Sequence, residues 1–248
     1  MLGVALSAAA RVAHAQLPYD PALLRPHQDS MVVSVQGKVV GWYTSRLDLA
    51  DDGWHLTDRL SIGEFVQQRT EILVDRNGRL RRVQFGGITN GIQIRASLEY
   101  RRDRVRGVTV GSPAGLLGDS TAPVDTSPVR SISIVADTVL PAGTIDDNAL
   151  LFYLPALPWA DGARWTFPVF SGQENVIRRV TFTVRGPASV ALRSGTVETW
   201  EVDGTGGASP LKYYVSQSSP HRLVRMELTG VGLLFLLDHR SEEHTSEL

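Results

Sequence analysis

Apolar and polar residues alternate in short runs through residues 163–229. In order the runs are ARWTFPVF, VIRRVTFTVR, SVAL, TVETWEV, LKYYVS and RLVRMEL, separated by glycine, serine, proline or asparagine. A period of two puts successive side chains on opposite faces of a strand. The stretch therefore predicts consecutive β-hairpins with one buried and one wet face. Val180, Phe182 and Val184 oppose Thr181, Thr183 and Arg185, and Val224, Met226 and Leu228 oppose Leu223, Arg225 and Glu227. Residues 231–237, VGLLFLL, are apolar on both faces, the pattern of a central or covered strand. Nothing in the run suggests a catalyst.

The first half of the chain repeats the theme. Ile92, Ile94, Ala96, Leu98 and Tyr100 alternate strictly with Gln93, Arg95, Ser97, Glu99 and Arg101. Residues 66–74 alternate less cleanly, after which Asp75-Arg76-Asn77-Gly78 supplies an Asn-Gly turn into residues 80–85. Asn90-Gly91 and Asp103 mark further turns, so residues 31–110 predict a meander of about six strands. Residues 111–129, GSPAGLLGDSTAPVDTSPV, break the rhythm and predict a surface loop before a strand at 130–140. Residues 146–157, DDNALLFYLPAL, form the one convincing helix, with Asp146 or Asp147 to cap it and Pro155 to limit it. Leu150, Leu151, Tyr153 and Leu154 make it apolar nearly all round, which suits a plug on the apolar face of a sheet. The fold class is thus mainly β: one large curved antiparallel sheet, a half-barrel or open barrel, with one short plugging helix near 146–157.

Both ends fall outside this pattern. Residues 1–15 have an apolar, small-residue core ending in Ala13-His14-Ala15, as a signal peptide cleaved before Gln16 would. The apolar run is too short to span a bilayer as a helix, so no transmembrane anchor is expected. Residues 16–30, spaced by proline, read as an extended lead-in. Residues 240–248, RSEEHTSEL, resemble the in-frame translation of a sequencing adapter and are expected to be a non-native tail. That leaves residues 31–239 as a single β-rich domain in two halves, 31–110 and 130–239.

Charge and cysteine usage narrow the function classes. Taking Arg11 and Arg240 from the 25 bases, and Glu242, Glu243 and Glu247 from the 26 acids, leaves 23 of each. A neutral chain has no basic footprint for nucleic acid and no polybasic patch for a membrane surface. The absence of cysteine excludes disulfides, thiolate metal sites, a cysteine nucleophile and a lipidated cysteine anchor. An exported, cysteine-free chain of this size fits a bacterial periplasm or secretion from the cell.

The second half also resembles a known family. Leu157-Pro158-Trp159 leading to Phe170, then Ser194 through Val202 (SGTVETWEV), Tyr213 to Val215, and Ser219 through Arg225 (SPHRLVR) carry the likeness. They are similar to domain of unknown function family 3108, exported bacterial β-rich proteins. Ala191-Leu192-Arg193-Ser194 departs from the family pattern, which has proline-alanine before the glycine. The likeness covers residue 42 to roughly 229 and is better from 157 on. It implies a curved, largely antiparallel sheet like the half-barrels of periplasmic lipoprotein carriers. It brings no activity and no catalytic residues.

Candidate chemistry is sparse. His27, His55, His221 and His239 show no i,i+2 or i,i+4 pairing of the kind a zinc site uses, so no metal, cofactor or catalytic residue is expected. Asp51-Asp52 and Asp146-Asp147 read as turn and cap acids. The arginines at 79, 81, 82, 101, 102, 104 and 106 read as a solvated sheet face balanced by acids. A curved sheet either fills its concavity with side chains or leaves room for a ligand. One expectation is a non-enzymatic binder of a lipid or other apolar small molecule, lined by Trp42, Ile94, Leu98, Tyr100, Leu151, Tyr153, Phe182 and Trp200. The alternative is an envelope scaffold or protein-interaction module with a filled core, docking other envelope proteins through strand edges and the 111–129 loop. An elongated apolar cavity favours the first, a filled concavity the second.

Overall fold

A computed structural model describes residues 20–113 and 132–241. The expected signal peptide, most of the 111–129 loop and residues 242–248 lie outside the described residues. A short 3-10 turn at Pro21–Leu23 leads into eight strands: β1 (His27–Val35), β2 (Lys38–Ala50), β3 (Gly53–Ile62), β4 (Val66–Val74), β5 (Leu80–Thr89), β6 (Ile92–Arg101), β7 (Arg104–Pro113) and β8 (Ile132–Val139). The first strand starts at His27, inside the stretch expected to be lead-in.

Local chemistry explains the hairpins. Asn90 and Gly91 both have positive φ, 51° and 74°, and Thr89 pairs with Ile92 across them. Two central residues in the left-handed region form the tight turn whose twist matches the flanking strands. The Asn-Gly signal therefore joins β5 to β6 as the sequence predicts.

After β8 the chain makes a two-residue strand β9 (Ile145–Asp146) and then the expected helical segment. It is one α-helical turn, α1 (Leu150–Tyr153), between 3-10 turns at Asp147–Ala149 and Leu154–Ala156. Asp146 caps it, its side chain accepting a hydrogen bond from the Asn148 N–H. Six strands complete the chain: β10 (Arg164–Ser171), β11 (Val176–Leu192), β12 (Gly195–Thr205), β13 (Leu211–Ser216), β14 (Leu223–Leu228) and β15 (Leu233–Ser241). The runs VIRRVTFTVR and SVAL belong to one strand, β11. Gly186-Pro187 between them makes a bulge where the register shifts after Val184, not a turn. The strand β15 extends through Arg240 and Ser241, the first two residues of the adapter-like tail.

All strands among the described residues belong to one 15-stranded sheet, ordered from β8 down to β1, then β15 down to β9. Each strand pairs with its neighbours in sequence, and β1 pairs with β15, so the two halves are joined by their outermost strands. Residues 233–237 of the apolar run thus sit centrally in the strand order, while Val231 lies in the preceding turn and is 67% exposed. Among the described strands, β8 and β9 are the sequence neighbours that lack a mutual pairing, so the sheet is an open, barrel-like curl with one seam. It is mixed, because β9 runs parallel to β10.

The helical segment fills the concavity. Ala149, Phe152, Tyr153, Leu154, Ala156 and Leu157 are all buried in a single core with inward residues of both halves. Truncating Phe152, 1% exposed, removes a ring that the surrounding strands cannot replace. Phe152→Ala should cost about 3–5 kcal/mol in urea unfolding. Phe65→Ala, at a residue 69% exposed, should stay within about 0.5 kcal/mol of the parent.

Candidate functional site

Among the polar side chains that interrupt the apolar interior, two groups stand out. The first lies at the seam. Tyr100 on β6 donates a short hydrogen bond from its hydroxyl to Asp146 Oδ2, while Asp146 Oδ1 accepts from the Asn148 backbone N–H and side-chain amide, both at 2.9 Å. Burial, then the neighbouring charge of Asp147, pushes Asp146 up to about 7. Burial also raises Asp147, against the pull of a hydrogen bond from Ser171. Burial and then the Asp146 charge push Tyr100 well above the ordinary phenol value, so it stays a donor. Asp146 therefore does more than cap a helix. It ties the plug to the strand face on the far side of the gap.

Three further contacts span the same region. Thr109 Oγ1 donates to the Gly172 carbonyl at 2.9 Å, and Thr138 Oγ1 to Asn175 Oδ1 at 3.2 Å. Tyr153 on α1 donates to the Gly78 carbonyl at 3.2 Å. A Cβ on Gly172 would lie 2.2 Å from Leu98 Cδ1, so a glycine lets the turn after β10 close against β6.

The second feature is a polar row on the inner face of β1 to β4. Register sets Asp29 opposite Ser45, Ser45 opposite Asp58 and Asp58 opposite Thr70, in phase with apolar Met31, Leu47, Leu56 and Ile72. Burial raises Asp58 to about 7, although hydrogen bonds from Thr70 favour its charged form. His27 donates from Nδ1 to the Arg25 carbonyl at 2.7 Å, which leaves Nε2 facing Asp29 Oδ2 at 3.6 Å. Between this row and the plug lies a cavity of about 30 Å³, whose polar wall is His27, Asp29, Tyr43 and Ser45.

Of the eight residues expected to line an apolar pocket, Leu98, Tyr100, Tyr153 and Phe182 share the core, and Leu151 and Trp200 pack against it. Only Leu151 borders this cavity. Trp42 is 44% exposed on the outer face, because Tyr43, Ser45 and Leu47 are the inward residues of β2. Tyr100 and Tyr153 are engaged in the hydrogen bonds above, and Leu98 packs by Gly172. Phe182 is the hub of an aromatic cluster, 5.2 Å from Phe167, 5.4 Å from Tyr213 and 6.2 Å from Trp159 between ring centroids. Trp200 is half-buried against the core, and Ile94 is half-buried on the inner face of β6. The polar residues that do converge were legible only as breaks in the apolar phase: His27 and Asp29 among Met31 and Val33, and Asp58 beside Leu56.

Four of the seven arginines read as a solvated sheet face meet acids. Arg81 meets Asp75, Arg101 meets Glu99, and Arg104 and Arg106 share Asp137. Beside them is a charged surface recess of about 400 Å³ lined by Glu99, Arg101, Asp103, Arg104 and Arg106. Among the described residues no group of three or more histidine or acidic side chains is arranged to hold a metal.

Comparison with known proteins agrees with this architecture. A family model described as "Protein of unknown function (DUF3108)" matches residues 60–232. Among solved structures, a beta-barrel-like protein of domain of unknown function DUF1849 from Brucella abortus superposes with a TM-score of 0.51. The superposition covers 88% of this chain and 98% of that one at 10% identity, which speaks for the fold alone. No curated protein matches the chain.

The buried acids set a pH dependence. Asp58 is an ordinary carboxylate when unfolded and titrates at about 7 when folded, so folding disfavours its charge. Its contribution to stability is complete below about pH 4 and is lost as pH rises toward 7. Asp58→Asn keeps the polar contact without the charge. Its melting temperature should exceed the parent's at pH 8 and approach it at pH 4. An equal offset at both values would contradict the assignment.

Proposed function

The chain belongs to the DUF3108 family of proteins of unknown function, and we propose that it acts as an exported, non-enzymatic β-sheet module that docks a protein partner of the cell envelope. The observation that carries this reading is the filled concavity. A lipid-sized ligand occupies a pocket of about 300 Å³ or more, whereas the cavity under the plug is about 30 Å³. The core there is closed by Phe152, Tyr153 and Leu154.

The sheet's open edge supports docking. Among the described residues no strand pairs with the outer side of β8. A free edge offers a row of backbone donors and acceptors to an added strand. Val135 and Val139 of β8 are 69% and 57% exposed beside it, with Val108 of β7 38% exposed opposite Val135. The small-residue start of the chain and its lack of cysteine support export.

The test is expression of the chain in bacteria, followed by native mass spectrometry and site-specific crosslinking. The protein should fly as an apo species. A photo-crosslinking residue at Val135 should give discrete protein adducts in intact envelopes, while one at Leu49, exposed on β2, should not. Co-purifying lipid, or an adduct pattern that does not distinguish the two positions, would overturn the docking reading.

A further inference from the structure

The polar cavity is left unexplained by a filled core, and its chemistry is specific. Three oxygen-bearing side chains reach it from two adjacent strands: Asp29 of β1, and Tyr43 and Ser45 of β2. Register places Asp29 beside Ser45 and Met31 beside Tyr43, so the three share one face. Tyr43 is 7% exposed, and its hydroxyl makes no hydrogen bond of ordinary geometry, although Ser45 interacts with it. A buried hydroxyl left this way costs about 1–3 kcal/mol unless something else meets it. Burial, and then the charge of Asp58, keeps that phenol protonated.

The surroundings favour a cation. Asp29 and Asp58 both bear on Tyr43, with His27 beside Asp29. The remaining wall, including Leu47, Leu56, Leu151 and Phe152, is apolar. An ammonium head carries three N–H donors and no acceptor, which suits three convergent oxygens. Its bond to a carboxylate is charge-assisted and so stronger than that of a neutral donor. The apolar wall suits the carbon attached to it. At about 10–15 Å³ for each water-sized centre, the cavity of about 30 Å³ admits two or three heavy atoms. We propose that the hollow between β1, β2 and the plug is a binding site for a small primary alkylammonium, held by Asp29, Tyr43 and Ser45.

This site is independent of the docking surface on β8, so either proposal can fail alone. The test titrates the full chain with ethylammonium chloride against potassium chloride at matched ionic strength. The methyl resonances of Leu47, Leu56 and Leu151 report occupancy. Saturable shifts are expected with ethylammonium and not with potassium. Tyr43→Phe removes one oxygen that makes no hydrogen bond of ordinary geometry, so it should fold and weaken binding by about tenfold. Ser45→Ala should fold equally and weaken binding by a smaller factor. Ethanol, equal in heavy-atom count but neutral, should bind less tightly than ethylammonium. The proposal is overturned by any of three results: no saturable shift up to roughly 100 mM, in which case the hollow holds water only, undiminished binding in Tyr43→Phe, or equal binding of ethanol.

Discussion

The constraint on which this fold depends is the seam between β8 and β9. Fourteen of the neighbouring strand contacts in the ring are backbone ladders, and this one is not. The edge of β8 stays open there, and the two halves are held together across the concavity by side chains and by the plug. The link between Tyr100 and Asp146 is buried, spans 46 residues of sequence and holds a carboxyl that burial pushes up to about 7. A buried carboxylate without partners would be costly, and a buried carboxyl bonded to Tyr100 and Asn148 is tolerated. The same bond positions Asp146 to cap the segment that fills the concavity. Cap, plug and seam are therefore one structural unit.

That unit explains why the interior holds so little space. A curled sheet with one-sided alternation could enclose a lipid-sized void, and here aromatic residues occupy it instead. Phe152 and Tyr153 come from the plug, while Phe167, Phe182 and Tyr213 pack edge to face from the second half. Such pairs add to their burial through ring geometry. The residual hollow lies where polar residues interrupt the apolar phase of β1 and β2, at the level of the Asp29, Ser45, Asp58 and Thr70 row.

Much of the fold is legible in the sequence because period two is a local signal. Alternation on Ile92–Arg101 places Leu98 and Tyr100 inward, and Asn90-Gly91 makes the turn before them. Residues 233–237 of the apolar run lie between β14 and β1. Where the reading fails, the missing information is phase or distance. Trp42 belongs to the outer phase of β2, and an aromatic in a strand does not announce its face. Gly186-Pro187 has the composition of a turn, yet the partner strand β12 continues past it and turns it into a bulge. The polar row needs the register of four strands, and the bond of Tyr100 to Asp146 needs the closed tertiary fold. Neither is a local property.

The claim that plug and seam form one unit is tested most directly by native-state hydrogen exchange of the Phe152 and Tyr153 amides. If the segment is integral to the core, they exchange only through global unfolding, with the same free energy and denaturant dependence as Val83 and Leu98 in the sheet. Exchange by a separate opening of lower free energy, with the strands still protected, would show the plug to be an independent lid and contradict the account.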